Sequence, residues 1–259
     1  MGREGAGKGY GKRSGKREEP GKRPDKEQRE RTKSESILSD LKGNLHLQLL
    51  VILILAGGAL RFYHLDFNSI WLDEAATLNF ARQSLLGIWQ STAQGEFNPP
   101  LFNWMEHFML VFGQSELVLR FIPALLGVLT IPVFYGIGKE FMDRDVGIIA
   151  AALLAFSPFH LFYSQDARAY AAVLFFFSVS FLFFLIAMRT HEARSWALFG
   201  VFSALAFWTH FYVFIPVGLL IGYALLQGLW HYREHPQHLH YTAASVMAFV
   251  LLSLPLMLV

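Results

Sequence analysis

The feature that most constrains this chain is a series of apolar runs, each about as long as a bilayer is thick. They lie at 45–64, 117–138, 145–163, 169–188, 195–210, 212–230 and 240–258. A helix rises 1.5 Å per residue, so about 20 apolar residues cross a hydrocarbon core roughly 30 Å thick. Most of the runs reach that length with no charge near the middle, and only 195–210 needs its flanks to span. The predicted fold class is therefore all-α, a polytopic membrane helix bundle of about seven spans.

Composition agrees. The chain has 259 residues, of which 54% are hydrophobic and 16% charged, where a soluble domain carries about 25% charge. The charge is also unevenly placed. Residues 1–44 hold 13 of the 22 Lys and Arg and 8 of the 20 Asp and Glu. This segment has almost no large apolar residues and cannot offset its ordering entropy, so it reads as a disordered basic cytoplasmic tail. Residues 45–259 then form the membrane domain. The tail's Glu residues and its lack of an aromatic stacking platform argue against nucleic acid as a partner. With no Cys in the chain, disulfides, thiol catalysis and Cys-ligated metals are excluded.

One further apolar run, Leu101–Phe112, is roughly 18 Å long as a helix and carries Glu106 and His107. It is too short and too polar to span, and is expected to lie on the membrane surface as an interfacial helix of the first outer loop. The basic residues support this choice. With 101–112 outside, Lys139, Arg144, Arg189, Arg194 and Arg233 fall on the same inner side as the tail, as the positive-inside rule requires. Residues 65–116, 164–168 and 210–211 then share the outer side. That gathers Asp73, Glu74, Glu96, Glu106, Glu116 and Asp166 at one membrane surface.

Four short stretches carry candidate chemistry. In Ser69-Ile-Trp-Leu-Asp-Glu-Ala75, Asp73 and Glu74 are adjacent carboxylates at the expected start of a helix, where an acidic cap is an equally good reading. Phe97-Asn-Pro-Pro-Leu101 stops one element and starts the interfacial helix that bears His107. Tyr163-Ser-Gln-Asp-Ala-Arg-Ala-Tyr170 joins two spans. Here Arg168 could grip a phosphate with Asp166 positioning it, or the two could simply neutralise each other. Trp208-Thr-His-Phe-Tyr212 brings His210 to the same face, within an aromatic belt. Asp73, Glu74 and Asp166 offer hard oxygens that could ligate a divalent cation, although no spacing demands one.

Taken in order, WLDEA, NPPL, FGQSELVLRFIPALLGVL, SQDARAY and THFY resemble the GT-C-type membrane glycosyltransferases. Within these, the likeness is to the superfamily of protein O-mannosyltransferases and lipid A aminoarabinose transferases. The resemblance covers about residues 50–230. It implies a polyprenyl-phosphate-linked sugar donor, a protein, lipid or glycan acceptor, and transfer outside the plasma membrane. It also implies a catalytic base in the first outer loop, which matches Asp73, with Glu74 beside it. More spans than are visible here are implied too, and the chain's end inside an apolar run reads as that of an incomplete protein. Arg168, and His210 or Arg120 with it, are expected to meet phosphate charge, with Asp166, His107 and Tyr170 completing the substrate contacts. One base and direct displacement imply inversion at the anomeric carbon. The competing class is a transporter or flippase, which would keep its polar site near mid-membrane; a non-catalytic scaffold is a third. The depth of the polar cluster distinguishes the first two.

Overall fold

A computed structural model describes Gly2 and residues 44–96, 98–233 and 236–258. The tail expected at 1–44 lies outside these residues except for Gly2 and Asn44. Every described element is helical. The first span is α1 (Leu45–Phe62), capped by the Asn44 side chain, which accepts from Leu47 N. Three helices of the first loop follow: α2 (Leu72–Ala81), α3 (Leu85–Ala93) and α4 (Pro100–Met109), the last continued by a 3-10 turn over Leu110–Phe112. Then come α5 (Glu116–Phe141), α6 (Arg144–Ala155), α7 (Pro158–Ser164), α8 (Tyr170–Thr190) and α9 (Ala193–Phe207). A 3-10 turn at Phe211–Val213 leads into α10 (Phe214–Trp230), and α11 covers Pro236–Met257.

All seven expected runs are helical. Five are long and apolar enough to cross a membrane, and α9 is a shorter apolar helix. The run expected as one span at 145–163 is instead two helices, α6 and α7, bent by 60°. Pro158 is the cause. It cannot donate to the preceding turn and disfavours helical geometry at Ser157, so the helix ends and restarts with Pro158 at its first position. The Ser157 hydroxyl caps the new start by accepting from His160 N.

Such a break strands carbonyls in an apolar layer, where an unsatisfied backbone group is costly. Arg61, at the end of α1, supplies the donors. Its Nη1 donates to Gly57 O at 2.8 Å and Ala155 O at 3.1 Å. Its Nη2 donates to Leu154 O at 3.1 Å and His160 Nδ1 at 2.7 Å. The guanidinium is fully buried, and glycine makes room for it. A Cβ on Gly127 of α5 would come within 2.2 Å of Ser164 Oγ and 3.1 Å of Arg61 Nε. At the opposite end of the bundle, Gly138 of α5 and Gly147 of α6 touch backbone to backbone, and a Cβ at Gly138 would lie 2.8 Å from Gly147 Cα. Small residues allow this close approach between membrane helices. With α1 and α8 also against it, α5 is the central post, while α9 packs between α8 and α11.

The three loop helices are fastened across one end of the bundle. Trp89 of α3, Trp104 of α4 and Trp208, just past α9, form a cluster with ring centres 5.6–6.5 Å apart. Leu101 N donates to Trp208 O at 3.1 Å. His107 Nδ1 bonds Ala81 O at 2.8 Å, tying α4 to α2. The run 101–112 is thus a helix packed on the bundle end and not a span, as the sequence predicts.

Arg61→Ala is expected to lower stability by about 3 kcal/mol or more, because it strips several buried acceptors at once. Thermal unfolding of the detergent-solubilised protein measures this. Arg61→Lys should recover only a minor part, since one ammonium lacks the planar fork that reaches both sides of the break. Wild-type stability in Arg61→Ala would show that the break is satisfied by other means.

Candidate active site

The site is built where two segments run side by side, Trp71–Glu74 at the start of α2 and Asp166–Arg168 in the turn between α7 and α8. Trp71 Nε1 donates to Asp166 Oδ1 at 3.0 Å. Ala167 N donates to Glu74 Oε1 at 2.9 Å. Arg168 Nη1 donates to Asp73 O at 3.3 Å. The first loop and the turn between α7 and α8 are therefore joined at one end of the bundle, and the turn carrying His210 lies there too.

Asp73 and Glu74 are neighbours with different surroundings, because successive helical residues point about 100° apart. Glu74 is buried and faces α5. Arg120 grips it with a planar pair of bonds, Nε to Oε1 at 2.7 Å and Nη2 to Oε2 at 2.6 Å. The remaining Arg120 donors reach Leu65 O, Asn68 O and Ser69 O at 2.8–3.3 Å. Burial alone would raise the Glu74 pKa, but the Arg120 bond, the Ala167 N–H and the Arg120 charge outweigh it and hold it below the ordinary value. Asp73 is half-buried, and no side-chain bond joins its carboxylate to another described residue.

This geometry separates the expected roles. Glu74, expected beside Asp73 in catalysis, and Arg120, expected to meet phosphate charge, have their polar atoms committed to each other and to backbone. The pair acts as a rivet between loop and bundle. His107, expected in the substrate contacts, is the tie to Ala81 described above. Arg168 and Asp166 lie beyond ion-pair distance, and Asp166 accepts from Trp71 instead, although the Arg168 charge still acts on it. Burial raises the Asp166 pKa, against the lowering effect of the Trp71 N–H.

Arg168 is left with one backbone bond and no carboxylate within ion-pair reach among the described residues. It lines a narrow cleft with Thr77, Phe80, Glu96, Asn98 and Asn103. His210 stands near it. Burial, then the Arg168 charge, lowers the His210 pKa. Its Nδ1 accepts from Tyr212 N at 3.4 Å, which leaves Nε2 to carry the proton of the neutral ring. His210 also borders an apolar groove of about 320 Å³ between α8 and α10, walled by Tyr170, Val173, Phe177 and Pro216. His210 and Tyr170 thus line one groove, and Arg168 is near enough for its charge to act on His210.

Some site residues were not singled out in the sequence. Trp71 orients Asp166, but an interfacial Trp carries no sign of a distant carboxylate partner. Asn103 reaches the Arg168 cleft from one turn before Glu106. Glu106 itself, expected at the surface, is fully buried with neither carboxylate oxygen bonded, and burial pushes its pKa well above the ordinary value. The three carboxylates considered as cation ligands do not form a set, since Glu74 is held by Arg120 and Asp166 by Trp71. Among the described residues no group of three His, Asp or Glu side chains could hold a metal ion.

A helical membrane bundle with carboxylates, a cation and an apolar groove at one end has the organisation of the membrane glycosyltransferases that the motifs resemble. Residues 98–257 match the model of the dolichyl-phosphate-mannose-protein mannosyltransferase family, and the chain belongs to that family. The match includes Arg120, Asp166, Arg168 and His210 and begins after Asp73 and Glu74. The chain is 25% identical over 209 residues to an uncharacterised protein of Aquifex aeolicus, covering 74% of this chain and 40% of that one. It is 32% identical over 126 residues to dolichyl-phosphooligosaccharide-protein glycotransferase 2 of Pyrococcus furiosus, covering 46% of this chain and 17% of that protein. It therefore spans less than half the length of the curated relatives it matches. The fold is shared with the archaeal oligosaccharyltransferase AglB from Archaeoglobus fulgidus, solved with an inhibitory peptide and a dolichol-phosphate. The TM-score is 0.64 at 19% identity, over 83% of this chain and 30% of that one.

Glu74→Gln should cost about 3 kcal/mol, the usual result of leaving a buried charge without its partner. The pH dependence carries a sign. A lowered native pKa means that this contribution is complete above pH 4.5, the ordinary value, and is lost as the pH falls below it. Thermal unfolding at pH 7 and pH 4 should show the gap between wild type and Glu74→Gln narrowing in acid. A gap independent of pH would refute the ionised pair.

Proposed function

We propose that this chain carries the donor site of a membrane glycosyltransferase, moving a sugar from a polyprenyl phosphate to a hydroxyl acceptor on the extracytoplasmic side. One observation carries the reading: Arg168, with no carboxylate within ion-pair reach among the described residues, bonds the Asp73 backbone carbonyl and lies near His210, which borders an apolar groove. An isoprenoid tail fits the groove of Tyr170, Val173 and Phe177, and its phosphate meets Arg168 and the Nε2–H of His210. Asp73 takes the acceptor's proton as the new bond forms at the anomeric carbon, and the bond to the phosphate oxygen breaks on the opposite side with inversion. The leaving phosphate gains charge as it departs, and a fixed guanidinium stabilises that charge more in the transition state than in the ground state. No step is assigned to a cation, because Glu74 is held by Arg120 and Asp166 by Trp71, which leaves Asp73 alone of the three. The acceptor is a protein, lipid or glycan hydroxyl. Transport is the weaker reading, since these groups gather at one end of the bundle and not at mid-depth.

The direct test is incubation of the full-length protein with lipid-linked sugars, followed by measurement of released lipid phosphate. Asp73→Asn should lower turnover by roughly 10²-fold or more with donor binding retained. Arg168→Lys keeps the charge but loses the fork, so it should weaken donor binding, and Arg168→Ala should weaken it further. Near-normal turnover in Asp73→Asn would reduce that residue to a helix cap.

Sidedness has its own measurement. The natural chain has no Cys, so single cysteines report only themselves. Ser69→Cys and Gln94→Cys, both at exposed positions of the first loop, should label with an impermeant thiol reagent added outside. Met142→Cys, exposed in the turn between α5 and α6, should not. The reverse pattern would place the site in the cytoplasm.

A further inference from the structure

A cavity at the same end of the bundle has no part in the reaction proposed above. It holds about 320 Å³ and lies between the segment that leaves α1 and the turn that follows α7. It shares no wall residue with the Arg168 cleft or with the apolar groove at His210. Glu74 and Arg120 line it, but their polar atoms are committed to each other and to backbone. The remaining polar wall chiefly accepts hydrogen bonds. Asp166 is buried, and its Oδ1 accepts from Trp71 Nε1 at 3.0 Å. Its Oδ2 has no bonded partner among the described residues and is not sealed from water. Gln165 Nε2 is spent on the carbonyls of Leu60, Arg61 and Tyr63 at 3.0–3.2 Å, which leaves Oε1 to accept. Asn68 and Ser69, both exposed, add groups that can donate or accept.

The rest of the wall is aromatic. Trp71 is 49% and Phe162 63% exposed. His64 stands in the left-handed region at φ 51°, which is uncommon for a residue with a Cβ. Its ring is stacked 4.1 Å from that of Tyr63 and lies 5.4 Å from that of Phe67. Backbone strain of this kind concentrates at ligand clamps. The charges acting on Asp166 are those of Glu74, Arg168 and Arg120. Together with its own they are two carboxylates and two guanidiniums, which cancel. At about 320 Å³ the cavity is near the lower end of the roughly 300–1,000 Å³ usual for ligand pockets. Its ligand therefore has to be small and neutral, donate several hydrogen bonds and lay an apolar face on an aromatic ring. A pyranose meets all of these, with hydroxyls around its rim and C–H groups on its face.

We propose that this cavity holds one neutral sugar ring of the acceptor, whose hydroxyls donate to Asp166 Oδ2 and Gln165 Oε1 while its C–H face lies on Trp71. The acceptor is then a glycan. The donor is held elsewhere, with its phosphate at Arg168 and its tail in the groove of Tyr170 and Phe177, neither of which shares a wall with the cavity. The acceptor role rests on the transferase reading, whereas sugar binding is measured without transfer.

The full chain is placed in phosphatidylcholine nanodiscs, so that no sugar-headed detergent competes, and mixed with methyl α-mannoside, methyl α-glucoside or methyl α-galactoside. Saturation-transfer NMR should show at least one of them bound at millimolar concentration, with the strongest transfer at ring C–H protons. Neither polyprenyl phosphate nor a neutral blocked serine tripeptide should displace it. The bound sugar should also shield Ser69→Cys from an impermeant thiol reagent. Asp166→Asn keeps an acceptor for Trp71 but puts an NH₂ where the open oxygen stood, and should weaken binding about tenfold. Trp71→Ala should abolish the ring signal. No hexoside bound to the wild type, displacement by the peptide or by polyprenyl phosphate, or undiminished binding in a folded Asp166→Asn would each overturn the proposal. Release of lipid phosphate from a lipid-linked sugar is followed in the same preparation. Release without a bound hexoside overturns the sugar site alone. A bound hexoside without release overturns the transferase reading and the acceptor role with it. The wild-type measurements decide the matter even if both variants fail to fold.

Discussion

The arrangement of the site end of the bundle depends on the bond between Glu74 and Arg120. It takes two charges out of water, which costs several kcal/mol per ion unless both are fully hydrogen-bonded. Here they are. The carboxylate accepts from Arg120 twice, from Ala167 N and, at 3.4 Å, from Trp71 N. The guanidinium spends its other donors on the carbonyls of Leu65, Asn68 and Ser69. A single contact thereby fixes the chain leaving α1, the start of α2, the top of α5 and the turn before α8. The order of Asp73 and Arg168 follows from it, since each is one residue from a rivet atom.

That explains why two adjacent carboxylates have opposite characters. A general base has to be reachable by the proton it abstracts, whereas a structural anion has to be sealed from competing partners. One helical step of about 100° separates the two requirements. Glu74 turns into the bundle and is held ionised by its partners. Asp73 stays half-buried, and no side-chain bond joins its carboxylate to another described residue. The same economy recurs lower down, where Arg61 satisfies a helix break and fixes the tautomer of His160 with the same guanidinium.

Much of the fold was legible because lipid imposes a simple rule. Apolar length marked the long helices, and Glu106 and His107 marked Leu101–Phe112 as too short and polar to be one of them. The 60° bend was written in Ser157-Pro158, but a run scored by hydropathy alone conceals it. The site was legible only as a set of positions on one face. Arg168, His210 and Tyr170 gather at one end of the bundle, and the Asp73 backbone carbonyl accepts from Arg168. The partition of roles was not visible, because it depends on contacts between residues 46 and 93 positions apart. Nothing local in Leu119-Arg120-Phe121 says that Arg120 will be consumed by Glu74, and nothing near Asp166 says that Trp71 will satisfy it.

The separation of those partners has a consequence for biosynthesis. Glu74 leaves the ribosome well before Arg120, and Ala167 follows later still. At roughly 5–20 residues per second, the 93 positions between Glu74 and Ala167 correspond to about 5–20 seconds of synthesis. For the first 46 of those positions the carboxylate has no Arg120 to pair with and stays in water, and the full set of bonds waits for Ala167. The first loop therefore cannot settle on the bundle until α5 and α7 have been delivered. Maturation of this end of the bundle is timed by translation of α6 and α7, and a pause in synthesis before residue 120 would prolong the life of an open loop.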